Sequence, residues 1–183
     1  MGTVKALLHD DAGNSFAARA VSVLCEGGCE GVIVVVGAQA GEVTELLDES
    51  CGGCPVTVVA ADDWEEGMGA SLRAGLSAAS GTDAASVLVT LVDLPDVGAP
   101  VVSRMLQTLG SDRDVLARAS YDGVPGHPVL IGRDHWAGVL GSARGDKGAR
   151  DYLATTEPVL VECGDLATGR DVDTPGDLSD HAR

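Results

Sequence analysis

The sequence predicts one α/β domain over residues 1–183, with a mainly parallel sheet between layers of helices. Three observations carry that expectation. Apolar runs of strand length (residues 32–36, 55–61 and 87–92) alternate with stretches whose apolar residues recur at helical spacing, as βαβ crossovers require. Five of the six residues 87–92 are Val or Leu, which reads as a strand buried on both faces. Hydrophobic residues make up 45% of the chain but aromatics only 3%, so Val, Leu and Ala must fill the core.

Taken in order, residues 15–27 carry Phe16, Ala20, Val23 and Leu24 at helical spacing, with Gly27-Gly28 as a stop. Residues 32–36 are an unbroken β-branched run ending at Gly37. A short amphipathic helix follows over 42–47, a strand over 55–61 and a helix over 70–79. The 87–92 strand is stopped by Pro95. Further on, 100–109 reads as a helix, 115–119 as a strand, and 123–131 as an extended segment with two prolines. Residues 143–153 are helical, 158–163 form a strand, and Asp173 caps a last short helix through Thr174-Pro175. No repeat, linker or low-complexity tract divides the chain.

A net charge of −16, spread along the chain, argues against nucleic acid or an anionic membrane surface as partner. No stretch has transmembrane length and no signal peptide is visible, so a cytoplasmic protein is expected. Cys25, Cys29, Cys51, Cys54 and Cys163 are odd in number, which with that location argues against a disulfide framework. The four clustered cysteines could bind zinc, but small buried residues are the simpler reading.

Asp93 closes the 87–92 strand, and in an open α/β sheet ligands bind beyond the carboxyl ends of the strands. A lone carboxylate there suits Mg²⁺, which takes one or two carboxylates plus phosphate oxygens and water. An ordinary helix-capping aspartate would look the same. Asp173 is the candidate second metal ligand, and Asp-x-Pro is also an ordinary helix start. Lys5, one of only two lysines, could neutralise phosphate charge, although surface lysines are commoner. Gly67-Met68-Gly69-Ala70-Ser71 precedes a helix, where backbone N–H groups and the Ser71 hydroxyl could meet an anion. A plain turn would read the same way. Gly126-His127-Pro128 is a rigid extended segment, read either as a substrate-facing loop or as structure.

Residues 67–76 (Gly-Met-Gly-x-Ser-Leu-Arg-x-Gly-Leu), the Leu-Val-Asp-x-Pro strand end, residues 125–136, Gly145-Asp146-Lys147-Gly148-Ala149-Arg150 and Asp171-Val172-Asp173-Thr174-Pro175 occur in this order. That ordered set resembles the MobA-like nucleotidyltransferase family, in its molybdenum cofactor cytidylyltransferase branch. The resemblance implies a Rossmann-like three-layer α/β/α nucleotidyltransferase fold. In that family a phosphate oxygen of the second substrate attacks the α-phosphorus of an NTP, with Mg²⁺ present and pyrophosphate released. It implies CTP and molybdopterin as substrates and a molybdoenzyme among the possible recipients of the product. Asp93 and Asp173 match the family's metal positions. Lys5 matches the lysine of its Arg-Met-Gly-x-Pro-Lys signature, with Gly2 in the same loop. Gly69 and Ser71 fall on the nucleotide side, and Gly126, His127, Pro128, Gly145 and Asp146 on the pterin side.

Family members begin with a strand and a Leu-Ala-Ala-Gly-x-Gly-x-Arg-Met-Gly loop, and this chain starts at that Met. The sheet is therefore expected to lack its first strand, leaving unpaired apolar edges on the neighbouring strands. Met1 is expected to be an internal methionine, and a chain that truly starts there is expected to have weak or no catalysis. Two alternatives stay open. One is guanylyl transfer to molybdopterin or to a small phosphorylated acid. The other is a non-catalytic molybdopterin- or nucleotide-binding protein.

Overall fold

The computed structural model describes residues 5–10, 13–50 and 53–171. A 3₁₀ turn at Lys5–Leu7 leads into α1 (Phe16–Glu26), then β1 (Val32–Val36), α2 (Ala40–Ser50) and β2 (Val56–Ala60). A 3₁₀ turn at Trp64–Glu66 precedes α3 (Met68–Ser80), β3 (Ser86–Val89) and α4 (Ala99–Leu109). The chain continues through β4 (Leu116–Tyr121), β5 (Val124–Gly132), α5 (Arg133–Ser142), a 3₁₀ turn at Gly145–Lys147, α6 (Arg150–Thr156) and β6 (Val159–Glu162).

Local chemistry explains the ends of these elements. Ser15 caps α1 by accepting the Ala18 N–H at 3.1 Å. Pro100 stands at the start of α4, where its missing N–H costs nothing. Asp122 and Gly123 both have positive φ (51° and 78°), the backbone that a tight hairpin between β4 and β5 requires.

The strands form two ladders. β1 and β2 pair in parallel, and the second sheet runs β3-β5-β4-β6, in which β5 alone opposes its neighbours. Among the described residues β1 pairs only with β2 and β3 only with β5. Helices cover both faces. Met105 and Val101 of α4 pack on Ala117, Ala119, Leu130 and Val161. On the opposite face α3, α5 and α6 bring Leu76, Val139 and Leu153 against Leu116, Val129 and Ile131. Val32 and Val36 of β1 pack with α1, α2 and Val102 of α4, while Ile33 turns toward the α3 face. The result is the expected three-layer α/β/α arrangement.

Three expectations need correction. The strand before Asp93 ends at Val89, not Val92. Val89 pairs with Val129, and the next β5 residue is Pro128, which has no N–H to extend the ladder. The single helix over 143–153 is instead a turn and α6, because Gly145 and Gly148 take positive φ (51° and 54°), and α5 precedes them. Finally, Cys25 and Cys54 form a disulfide with Cα atoms 5.8 Å apart, whereas the sequence argued against one. Folding brings the end of α1 to the start of β2, a proximity that cysteine spacing does not reveal. Cys29 and Cys163 are free thiols, and burial pushes both above the ordinary range.

Candidate active site

Asp93 sits four residues past the last pair of β3, in a turn at the carboxyl end of the sheet. Lys5, from the turn that precedes α1, places Nζ 2.8 Å from Asp93 Oδ2. Their side chains are 33% and 16% exposed, so the pair is shielded yet reachable by a ligand. Arg19 of α1 donates to the Leu94 carbonyl at 3.3 Å and fixes the same turn from the helix side. The two residues singled out for phosphate and metal chemistry thus meet across 88 positions of sequence.

His127 joins them from β5. Its Nδ1 lies 3.4 Å from the Val89 carbonyl, and Tyr121 donates its hydroxyl to the His127 carbonyl at 2.6 Å. Burial pushes the imidazole below its ordinary value of 6.5 and neighbouring Arg118 adds to that, opposed by the Val89 carbonyl and by Asp93. Gly126 is needed for contact: a Cβ there would lie 2.8 Å from the Tyr121 ring. Pro128 is fully buried beneath this segment and has a cis bond to His127.

A second group forms at the start of α3. A Cβ on Gly69 would lie 2.8 Å from the Arg144 backbone nitrogen, and one on Gly67 would strike Asp146 and the Gly145 carbonyl. These glycines let α3 dock on the loop carrying Gly145 and Asp146. Arg73 tightens that dock, pairing with Asp63 and Glu66 and donating to the Ala143 carbonyl at 2.9 Å. The segments carrying Gly69 and Gly145-Asp146, assigned to different substrates from the sequence, therefore pack on each other. Ser71 is half-buried on α3. Gly2 and Asp173 lie outside the described residues.

His135 and Trp136, at the end of the 125–136 stretch, point elsewhere. His135 bonds the Asp114 carbonyl and the Tyr152 hydroxyl, and the Trp136 indole donates to the Ile131 carbonyl. His135 lines a cavity of about 380 Å³ with Asp112, Asp114 and Glu157, by the amino ends of β4 and β6. Arg118 escaped the sequence reading altogether. Its only signal was a charge inside the apolar strand Leu116-Ala117-Arg118-Ala119.

Asp93 fits a hard divalent cation as a carboxylate ligand at a strand end. Among the described residues no three His, Cys, Asp or Glu side chains converge as a metal site. The remaining ligands would be phosphate oxygens and water, the complement Mg²⁺ ordinarily takes. No helix among the described residues is long and apolar enough to cross a membrane.

Comparison with known proteins gives the family and the fold. The profile described as MobA-like NTP transferase domain matches residues 1–159. A nicotine blue oxidoreductase from Paenarthrobacter nicotinovorans is 32% identical over 171 residues, covering 88% of this chain and 80% of that protein. Among solved structures, a nucleotidyl transferase from Methanothermobacter thermautotroptrophicus superposes with a TM-score of 0.78 at 22% identity, over 97% of this chain and 82% of its own. A manganese complex from Mycobacterium tuberculosis H37Rv gives a TM-score of 0.71 at 22% identity, over 98% and 91%. Sequence match and fold converge: the chain belongs to the MobA-like NTP transferase family of Rossmann-like nucleotidyltransferases.

Proposed function

We propose that the chain transfers CMP from CTP to the phosphate of molybdopterin. The observation that carries this reading is the Lys5–Asp93 pair, 2.8 Å apart at the carboxyl end of β3 and near His127. An acceptor phosphate oxygen attacks the α-phosphorus, a new P–O–P linkage forms, the α–β anhydride breaks and pyrophosphate leaves. Lys5 offsets charge that builds on the departing pyrophosphate. Asp93, with Asp173 as second ligand, would hold Mg²⁺, which when bound neutralises phosphate charge. Backbone N–H groups at the start of α3, with the Ser71 hydroxyl, orient the nucleotide, and Gly126-His127-Pro128 shapes the acceptor side. No general base is required, because a phosphate monoester is already anionic near neutral pH.

The test is pyrophosphate release with molybdopterin, Mg²⁺ and each of the four NTPs. Release with CTP supports the reading, and release with GTP alone replaces it by guanylyl transfer. Molybdopterin bound without release with any NTP would replace it by a carrier role. A second reading follows from the 32%-identical relative, whose name gives an oxidoreductase acting on nicotine blue. Bleaching of that dye by a reduced nicotinamide dinucleotide, with no pyrophosphate formed from any NTP, would favour it.

A further inference from the structure

The chain is poor in aromatics, with two Trp, two Tyr and one Phe. Trp136 is 3% exposed and its indole donates to the Ile131 carbonyl, while Phe16 and Tyr121 are buried. Trp64 is different. It is 42% exposed, and among the described residues its indole has no hydrogen bond and no ring or cation partner. Leaving so large an apolar ring in solvent forgoes the burial that stabilises every other aromatic of the core.

Backbone contacts fix where that ring stands. The Ala61 N–H donates to the Val36 carbonyl at 2.8 Å, and the Trp64 N–H donates to the Ala61 carbonyl at 3.1 Å, so the turn is tied to the ends of β1 and β2. Gly37 closes against the side chain: a Cβ there would lie 2.8 Å from Trp64 Cβ and Cγ and 3.2 Å from Cδ2. The indole is thus seated on the backbone just past β1, and its uncovered part meets solvent. α1 lies along β1 from the Asp93 turn, where Arg19 donates to the Leu94 carbonyl, to the start of β2, where Cys25 bonds Cys54. The carboxyl ends of β1 and β2, with Trp64 on them, therefore point to the same side as Asp93. Ligands of open α/β sheets bind on that side.

We propose that Trp64 stacks on the nucleobase of the NTP. The assignment rests on the transferase reading above and names its base subsite. Two observations give the ring to the nucleobase rather than to the acceptor. Trp64 stands on the β1–β2 ladder and leads directly into α3, whose first N–H groups that reading gives to the nucleotide, whereas Gly126-His127-Pro128 belongs to β5 in the other ladder. Asp62, Asp63, Glu65 and Glu66 flank the ring, and Arg73 pairs with Asp63 and Glu66 alone. Such a surround repels phosphate, and the uncharged base is the part of a nucleotide that fits it. An indole stacks on any base, so the choice among bases falls to other groups.

The test is tryptophan fluorescence, with buried Trp136 as the background. CTP with Mg²⁺ should quench the emission of the wild-type chain, and inorganic tripolyphosphate with Mg²⁺ should not. Trp64→Leu should lose the quenching and raise the KM for CTP at least about fivefold, with the molybdopterin KM within about twofold. Trp64→Phe keeps a ring and should bring the CTP KM back to within about threefold of wild type. An unchanged CTP KM in Trp64→Leu would overturn the proposal, as would a rise confined to molybdopterin or equal quenching by tripolyphosphate. Quenching by CTP that Trp64→Leu abolishes, without pyrophosphate release by the wild type, would sink the transferase reading and keep the base site.

Discussion

The two ladders of this sheet are held by different means. In β3-β5-β4-β6 the inner strands β5 and β4 are hydrogen-bonded on both edges and covered on both faces, by α4 on one side and α3, α5 and α6 on the other. β1 and β2 have only each other as strand partners among the described residues, and no ladder joins them to β3. Side chains hold them instead. Val32 and Val36 pack beneath α1 and α2, Ser103 of α4 donates to the Gly27 carbonyl at 3.0 Å, and the Cys25–Cys54 disulfide ties the end of α1 to the start of β2. The lesson concerns the site. Lys5 arrives with the smaller part and Asp93 with the larger, so the candidate centre spans the join and its geometry depends on the less redundantly fastened half.

The sharpest way to break this comparison is at the join. Asp93→Asn should cut Mg²⁺-dependent turnover at least about 100-fold, while far-UV circular dichroism and Tm stay close to wild type. Retained activity would remove Asp93 from the chemistry and make the Lys5 pair merely a fastener. Next comes the well-braced half. Leu130 is 1% exposed in the middle strand, and Leu130→Ala should cost about 2–5 kcal/mol in denaturant melts and lower the whole transition.

Cys54→Ser tests the other half. Opening a cross-link between residues 29 apart should cost about 2–4 kcal/mol. Hydrogen exchange should speed up in β1 and β2 before it does in β4 and β5. Uniform acceleration across both ladders would mean that the two parts unfold as one. The smallest effect concerns acid. Glu162, the last residue of β6, accepts from the Ser120 hydroxyl and the N–H groups of Asp122, Gly123 and Gly164. Those bonds, the hydroxyl first, pull its carboxyl from 4.5 to about 2. A carboxylate depressed in the folded state stabilises above its unfolded pKa and loses that contribution as pH falls through its folded one. Glu162→Gln should therefore be less stable at neutral pH, with the gap to wild type closing between pH 4.5 and about 2.

Most of the element order was legible because periodicity is local. The runs at 32–36 and 55–61 became β1 and β2, and 15–27 became α1, each from spacing alone. The helix α5 was hidden: Gly138 and Gly141 weaken its pattern, and its role shows only where Trp136 and Val139 meet the sheet. Asp93 was legible as a strand-end carboxylate, and Lys5 only as a rare cation. That the loop of Gly145 and Asp146 docks on the start of α3 was not legible, since it is a contact between distant segments.

The sequence by itself determined the α/β alternation, the Val-rich strands, the position of Asp93 past β3 and the acidic surface that any anionic substrate must overcome. These follow from the order of side chains along a few turns or one strand. Tertiary structure alone decided that β3 stops where it meets Pro128, that Cys25 finds Cys54 and that Lys5 reaches Asp93. Each of those facts needs two segments far apart in sequence to be packed side by side, and local spacing carries no measure of that distance.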